Sequence, residues 1–171
     1  MHHLHEMDSA ERMLCRHCLD HYERLVPQML EAARLYCRAY DGGFLNDKAA
    51  HGLRQAFGKL LAKVQNTMIV GDDLTITSPK RLEKAIEEKS INAIIVKPNQ
   101  NGSLLEVRNV CELAKKHGIK IVFSHRSGET TETILADLAF GFQADFLKCG
   151  ITGKEREAKI KRLIEIEKKM K

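Results

Sequence analysis

An α/β fold with four parallel strands and an N-terminal helical hairpin is predicted from three observations. Short β-branched runs recur four times between helix-length segments in residues 68–171. Those segments begin with strong helix caps, whereas residues 1–67 carry one wide helical stripe and no strand-like run. At 171 residues the chain is also too short for a complete eight-stranded β/α barrel of about 250 residues.

Taken in order, Asp8 with Glu11 offers a capping-box-like start. Apolar residues then recur at Met13, Leu14, Cys18, Leu19, Tyr22, Leu25, Val26, Met29, Leu30 and Ala33. Pro27 predicts a kink or a break within that pattern, and Asp41-Gly42-Gly43 ends it. Asn46 or Asp47 can cap a second helix, with Leu53, Phe57, Leu60, Leu61 and Val64 on its inner face. From Met68 the period changes. The runs Met68-Ile69-Val70, Ala93-Ile94-Ile95-Val96, Ile119-Lys120-Ile121-Val122-Phe123 and Asp145-Phe146-Leu147 are read as strands. Helices are expected over roughly 79–89, 103–116, 130–141 and 153–170. Their signals are Ser78 before Pro79, the Ser103-Leu104-Leu105-Glu106 capping box, and the stop at His117-Gly118. Each helix connects two parallel strands by a right-handed crossover.

Composition supports two segments, 1–67 and 68–171. The first holds six Arg, three Lys and six of the eight His; the second holds five Arg and 14 Lys. A joint near Gln65-Asn66-Thr67 follows from that change, with a natural fusion or an engineered chimera as its origins. Hydrophobic residues at 43% and charged residues at 30% exclude a disordered chain. The net charge of +5 alternates with acids and forms no basic arm, so no nucleic-acid partner is expected. No apolar stretch reaches the ~18 residues of a membrane span, and an odd count of five cysteines fits a reducing, cytoplasmic setting. The opening Met1-His2-His3-Leu4-His5 is read as a tag or a frayed end. Cys15-x-x-Cys18-x-x-His21 has zinc-like spacing, but ligands at those intervals drift around a helix, so small thiols on an apolar stripe are the expectation. Tyr22, Tyr36 and Tyr40 are read as hairpin packing.

Chemistry is expected at the carboxyl ends of the strands. These read Gly71-Asp72-Asp73, Lys97-Pro98-Asn99-Gln100, Ser124-His125-Arg126-Ser127-Gly128-Glu129 and Lys148-Cys149-Gly150. A carboxylate can hold Mg²⁺, an Arg fork with a Ser hydroxyl suits phosphate, and a lysine in a partly dry site can act as a base.

These blocks resemble one known family. Val70-Gly71-Asp72-Asp73-Leu74-Thr75 to Arg81, Lys97-x-Asn99-Gln100-x-Gly102-Ser103 and Ser124-His125-Arg126-Ser127-Gly128-Glu129-Thr130 are similar, in order and spacing, to the C-terminal region of enolase, the phosphopyruvate hydratase. Ala136-Asp137-Leu138, Lys148-x-Gly150 and Glu155-Arg156-x-Ala158-Lys159 continue the pattern. The resemblance covers about residues 68–170, with no motif recognised in 1–67. It implies the last four strands of a (β/α)₈ barrel, and so a lyase-type half-barrel, whose open face the hairpin is expected to cover. It further implies Asp72 as a magnesium ligand, Lys97 as the base on 2-phosphoglycerate, and Arg126 and Ser127 on the phosphate. His125 would line the pocket, and Lys148 would face the carboxylate and the enolate-like intermediate.

The family's other two metal carboxylates, its general acid and its closing loop precede this region, so magnesium is not expected to bind this chain unaided. Independent catalysis is then expected to fail, leaving at most weak phosphate or sulfate affinity at Arg126 and Ser127. Pro98, Asn101, Cys149, Ile151 and Thr152 depart from the family's usual residues. With all crossover helices on one face, the former barrel interior needs cover from the hairpin, a second copy in a homodimer, or a complementing half-barrel. The competing readings are a hydratase fragment working with such a partner, and a helical interaction module on an enolase-like carrier.

Overall fold

The computed structural model describes Pro27, residues 47–64 and residues 66–171. It divides into two compact units, Met1–Thr67 and Met68–Lys171. The Cys15, Cys18 and His21 set, the three tyrosines and the start expected at Asp8 lie outside the described residues. Pro27 is helical and exposed. In the first unit, α1 (Asp47–Leu61) buries Ala50, Leu53, Ala56 and Leu60, spaced as one helical stripe should be. Phe57 and Leu61, expected on that face, are partly exposed.

The second unit runs β1 (Val70–Gly71), α2 (Pro79–Glu87), β2 (Ala93–Val96), α3 (Pro98–Asn101), α4 (Leu104–Lys116), β3 (Lys120–Ser124), α5 (Ile134–Gly141), β4 (Phe146–Lys148) and α6 (Lys154–Met170). Its four strands form one sheet in the order β1-β2-β3-β4, every pair parallel. This is the half-barrel expected from the sequence.

Two polar residues clip the strand starts and set the register. Asn92, just before β2, accepts the Ile69 N–H on Oδ1 at 2.6 Å, while Ile69 O accepts from Asn92 N at 3.1 Å. Asp145, just before β4, repeats the device on β3, accepting the Ile121 N–H at 2.8 Å and the Lys120 ammonium at 2.6 Å. A one-residue slip would lose both clips and turn every side chain to the opposite face.

Helix ends use one mechanism three times. α4 stops at His117, with Gly118 at φ +67 and the Ile119 N–H reaching back to Ala114 O at 2.9 Å. α2 and α5 end with the same backward bonds, from Ser90 to Ala85 O at 2.9 Å and from Ala144 to Ala139 O at 2.8 Å. Their left-handed positions are filled by Lys89 (φ 49) and Gln143 (φ 53) instead of glycine. Without glycine, these stops are hard to read in sequence. At the other ends, Ser103 accepts the Glu106 N–H as a cap should, whereas Ser78 makes no side-chain cap bond and leaves Pro79 to define the start.

The sheet's core face carries Ile94, Val96, Ile121 and Phe123, each 0% exposed. The helices contribute Leu82, Val107, Val110, Ala114 and Ala136, equally buried. Phe123 stacks on Phe142 with ring centroids 5.8 Å apart. Pleating puts Ala93, Ile95, Val122 and Phe146 on the other face, where Ile95 and Val122 are buried and Phe146 is 47% exposed.

Two segments depart most from the expected boundaries. β1 is only two residues long and starts at Val70, because Ile69 is already committed to the Asn92 clip. α5 starts at Ile134 and not near 130, because Glu129 and Thr130 are held by a lysine from α6. That lysine, Lys159, is 3% exposed, so α6 is not wholly the solvated, charge-laced helix its composition implies. Arg162 forks onto Asp137 at 2.7 to 3.1 Å, tying α6 to α5.

Truncating the stacked core ring, Phe123→Ala, is expected to destabilise the chain by roughly 3–5 kcal/mol in urea unfolding, with little change in slope. Acid should weaken the fold through Asp145 and Asp137. Burial works against ionisation of Asp145, but Lys120 and the Ile121 N–H outweigh it, and the Arg162 fork dominates at Asp137, so both carboxyls sit below the usual range. A depressed folded value means stability that is complete above the unfolded value of about 3.9 and lost as pH falls through the folded one. Urea midpoints should therefore drop below about pH 4, and Asp145→Asn should flatten that drop.

Candidate functional site

All four strand ends deliver polar groups to the same edge of the sheet. After β1 the chain turns tightly: the Thr75 and Ile76 N–H groups donate to Asp72 O at 3.0 and 2.8 Å, and the Thr75 hydroxyl donates to Gly71 O at 3.2 Å. Gly71 fits closely here: an added Cβ would stand 3.0 Å from both Ile91 and Thr75 side chains, which would have to yield by a few tenths of an ångström.

The turn then passes through two β-branched residues with positive φ, Ile76 (41) and Thr77 (52). Such residues rarely enter the left-handed region, so the surroundings must hold them there. Thr77 is fully buried and acts as a hub. Its hydroxyl donates to Gln100 Oε1 at 2.8 Å and accepts the Lys97 N–H at 2.9 Å, while Asn101 Nδ2 donates to its carbonyl at 2.9 Å. The β1 turn and the lysine loop are thereby locked together. The lock places Lys97 Nζ 2.6 Å from Asp72 Oδ1, with the lysine side chain 15% and the aspartate 32% exposed.

The loop after β3 forms the second part. Its first N–H, from His125, donates to Lys148 O at 3.2 Å and joins the loop to the end of β4. His125 Nδ1 and Glu129 Oε2 are hydrogen-bonded. Lys159 from α6 donates to Thr130 O and to Glu155 O, the latter at 2.7 Å, and its ammonium lies 3.0 Å from Glu129 Oε1, off the axis of a well-aligned hydrogen bond. Burial alone would raise the Glu129 carboxyl, but the Lys159 and His125 contacts outweigh it and hold it below the usual range. A cavity of about 260 Å³ opens over this loop, bounded by Asn99, Ser124, His125, Arg126, Ser127 and Glu129 among others. Arg126 and Ser127 are exposed at its mouth.

Of the residues expected from sequence, the structure brings Asp72 onto Lys97 and gathers His125, Arg126 and Ser127 around one cavity. Lys148 is exposed and does not line that cavity; its carbonyl, not its ammonium, meets the loop. Thr77, Glu129 and Lys159 received no role from sequence. The available signals were the i, i+4 spacing of Glu129 after His125 and the adjacency of Thr77 to the Ser78-Pro79 cap.

Among the described residues, no three His, Cys, Asp or Glu side chains are grouped to hold a metal ion. Asp72 alone, with Oδ1 already taken by Lys97, does not fit the several oxygen ligands that Mg²⁺ requires. Likewise, no helix among the described residues is long and apolar enough to cross a membrane.

Residues 22–171 match the family described as the enolase C-terminal TIM barrel domain. Similar curated proteins include the enolase of Saccharolobus islandicus strain Y.N.15.51, 37% identical over 155 residues, which are 90% of this chain and 37% of that protein. The enolase of Sulfurisphaera tokodaii is 48% identical over 114 residues, 66% of this chain and 27% of the relative. That of Sulfolobus acidocaldarius is 36% identical over 164 residues, 95% and 36% of the two chains. The matched stretches thus span from about a quarter to little more than a third of the length of these relatives. The family match starts at residue 22, well ahead of the first motif recognised near residue 68, so residues 22–67 lie within the matched region. By that match and by its half-barrel of four parallel strands, the chain belongs to the enolase family, in the C-terminal barrel domain.

Proposed function

We propose that this chain is the phosphate-loop and lysine half of an enolase-type site, which binds phosphate or sulfate weakly and does not dehydrate 2-phosphoglycerate unaided. The observation that carries this reading is the ion pair between Lys97 and Asp72 at 2.6 Å. An ammonium bonded to a carboxylate has no lone pair with which to take a proton, and that carboxylate oxygen is no longer free for a cation. Each group satisfies the other, so base and metal ligand are both withdrawn from the chemistry. Magnesium, which the family uses, would need further carboxylates from another polypeptide segment before Asp72 could exchange partners.

The anion site needs less. Arg126 supplies a planar fork and Ser127 a hydroxyl beside the 260 Å³ cavity, a donor set suited to a phosphate. A cytoplasmic location accords with the free thiols of Cys111 and Cys149, both buried, the first pushed up to about 11 by desolvation.

A second reading, that a complementing half-barrel or a second copy completes the site, is favoured by the sheet's edges. Among the described residues β1 and β4 each pair with one strand, and Phe146 on β4 is 47% exposed. Unpaired parallel edges with an apolar flank are a template for another chain. The natural fusion, engineered chimera and interaction-module readings have no comparable support, since the family match extends into the hairpin segment.

A spectrophotometric assay of 2-phosphoglycerate dehydration with excess Mg²⁺ should give no turnover by the isolated chain; metal-dependent turnover would overturn the proposal. Titration with inorganic phosphate followed by NMR shifts should locate binding at residues 125–130. Arg126→Gln should weaken that binding about tenfold or more, the effect of losing a charge-assisted contact. Thr77→Val, which removes the acceptor of the Lys97 N–H, should lower stability by about 1–3 kcal/mol in urea while leaving phosphate binding unchanged.

A further inference from the structure

We propose that Lys159 is a positioning residue for His125: acting through Glu129, it fixes the imidazole with a proton on Nδ1 and leaves Nε2 as the ring nitrogen free to meet a ligand in the cavity. This rests on the reading of the 124–130 loop as an anion site, and it brings α6, outside every strand-end motif, into that site.

The argument starts from burial. The Lys159 side chain is 4% exposed and that of Glu129 10%. A lysine so enclosed must spend its protons, and two go to the carbonyls of Thr130 and Glu155. The remaining charge faces Glu129 Oε1 at 3.0 Å. In the low dielectric of that position the ammonium is the cation that keeps Glu129 ionised against its own desolvation.

An ionised carboxylate only accepts hydrogen bonds, so the contact between Glu129 Oε2 and His125 Nδ1 requires the proton to sit on the imidazole. The ring is therefore held in one tautomer and one orientation, the role that a buried carboxylate plays wherever a histidine must present a defined nitrogen. Without Lys159, an uncompensated carboxylate would be buried beside His125. It would either take up a proton or turn to solvent, and in both cases the Nδ1 acceptor is lost.

The test is imidazole nitrogen spectroscopy on the full chain without ligand, at a pH of about 8 where an ordinary imidazole is neutral. His125→Gln identifies the His125 signals among those of the eight histidines. In the unaltered protein the Nδ1–H tautomer is expected to dominate at His125. In Lys159→Met the two ring nitrogens should shift toward each other as the bias is lost. A wild-type ring with its proton on Nε2, or a folded Lys159→Met chain whose His125 signals do not move, would overturn the proposal. Should Lys159→Met fail to fold, Glu129→Ala, which leaves Lys159 bonded to both carbonyls, is read by the same criterion. Because this measurement uses no ligand, a chain that keeps the Nδ1–H bias yet ignores phosphate would sink the functional reading alone.

Discussion

Strand register is the constraint on which the site depends. In a parallel sheet the chemistry at the carboxyl ends is level only if the strands start level, and backbone ladders by themselves tolerate a slip. Asn92 and Asp145 remove that tolerance by accepting N–H groups at the starts of β1 and β3. With the starts fixed, Val70 stands against Ala93, Ile94 against Ile121, and Ser124 against Lys148. The groups that follow those strands then emerge at one rim. The same register sends Ile94, Val96, Ile121 and Phe123 into the helix-covered core, so packing and chemistry are set together.

At that rim the charges are arranged by neutralisation. Lys97 closes on Asp72, and Lys159 supports Glu129, which in turn engages His125. Both groups rest on backbone held under constraint: the left-handed Ile76 and Thr77 in the first, the long loop before Ile134 in the second. Arg126 and Ser127 stay exposed beside the cavity, so the part of the rim that remains open to a small anion is the loop following β3. The exposed donors of that loop are therefore separate from the charged groups that neutralise each other.

Much of this was legible in the sequence. The four β-branched runs, the Ser103 cap and the Gly118 stop have local signatures, and each lies within a few residues of its expected place. What was hidden is long-range or lacks a residue signature. Lys89 and Gln143 end helices in a conformation that normally advertises itself through glycine. Lys159 sits in a run of charges whose local pattern implies solvent, and only the fold brings it 3.0 Å from Glu129. The Lys97 and Asp72 contact joins residues 25 apart through a threonine hub that no spacing rule reveals. The family match also reaches back beyond the recognised motifs into residues 22–67, where helical stripes such as Ala50, Leu53, Ala56 and Leu60 carry packing information without catalytic residues to mark them.

Under the proposed function, Lys97 and Asp72 stand as the base and metal carboxylate of half an enolase-type rim and neutralise each other until another segment supplies more carboxylates. The most direct measurement mixes the intact chain with a polypeptide comprising the N-terminal domain and first four β/α units of one of the archaeal enolases it resembles, and follows 2-phosphoglycerate dehydration with Mg²⁺ against each component alone. Turnover that appears only in the mixture, and that Lys97→Met abolishes, is the expected result. A stable complex of the two without turnover, or turnover that survives Lys97→Met, would contradict the account.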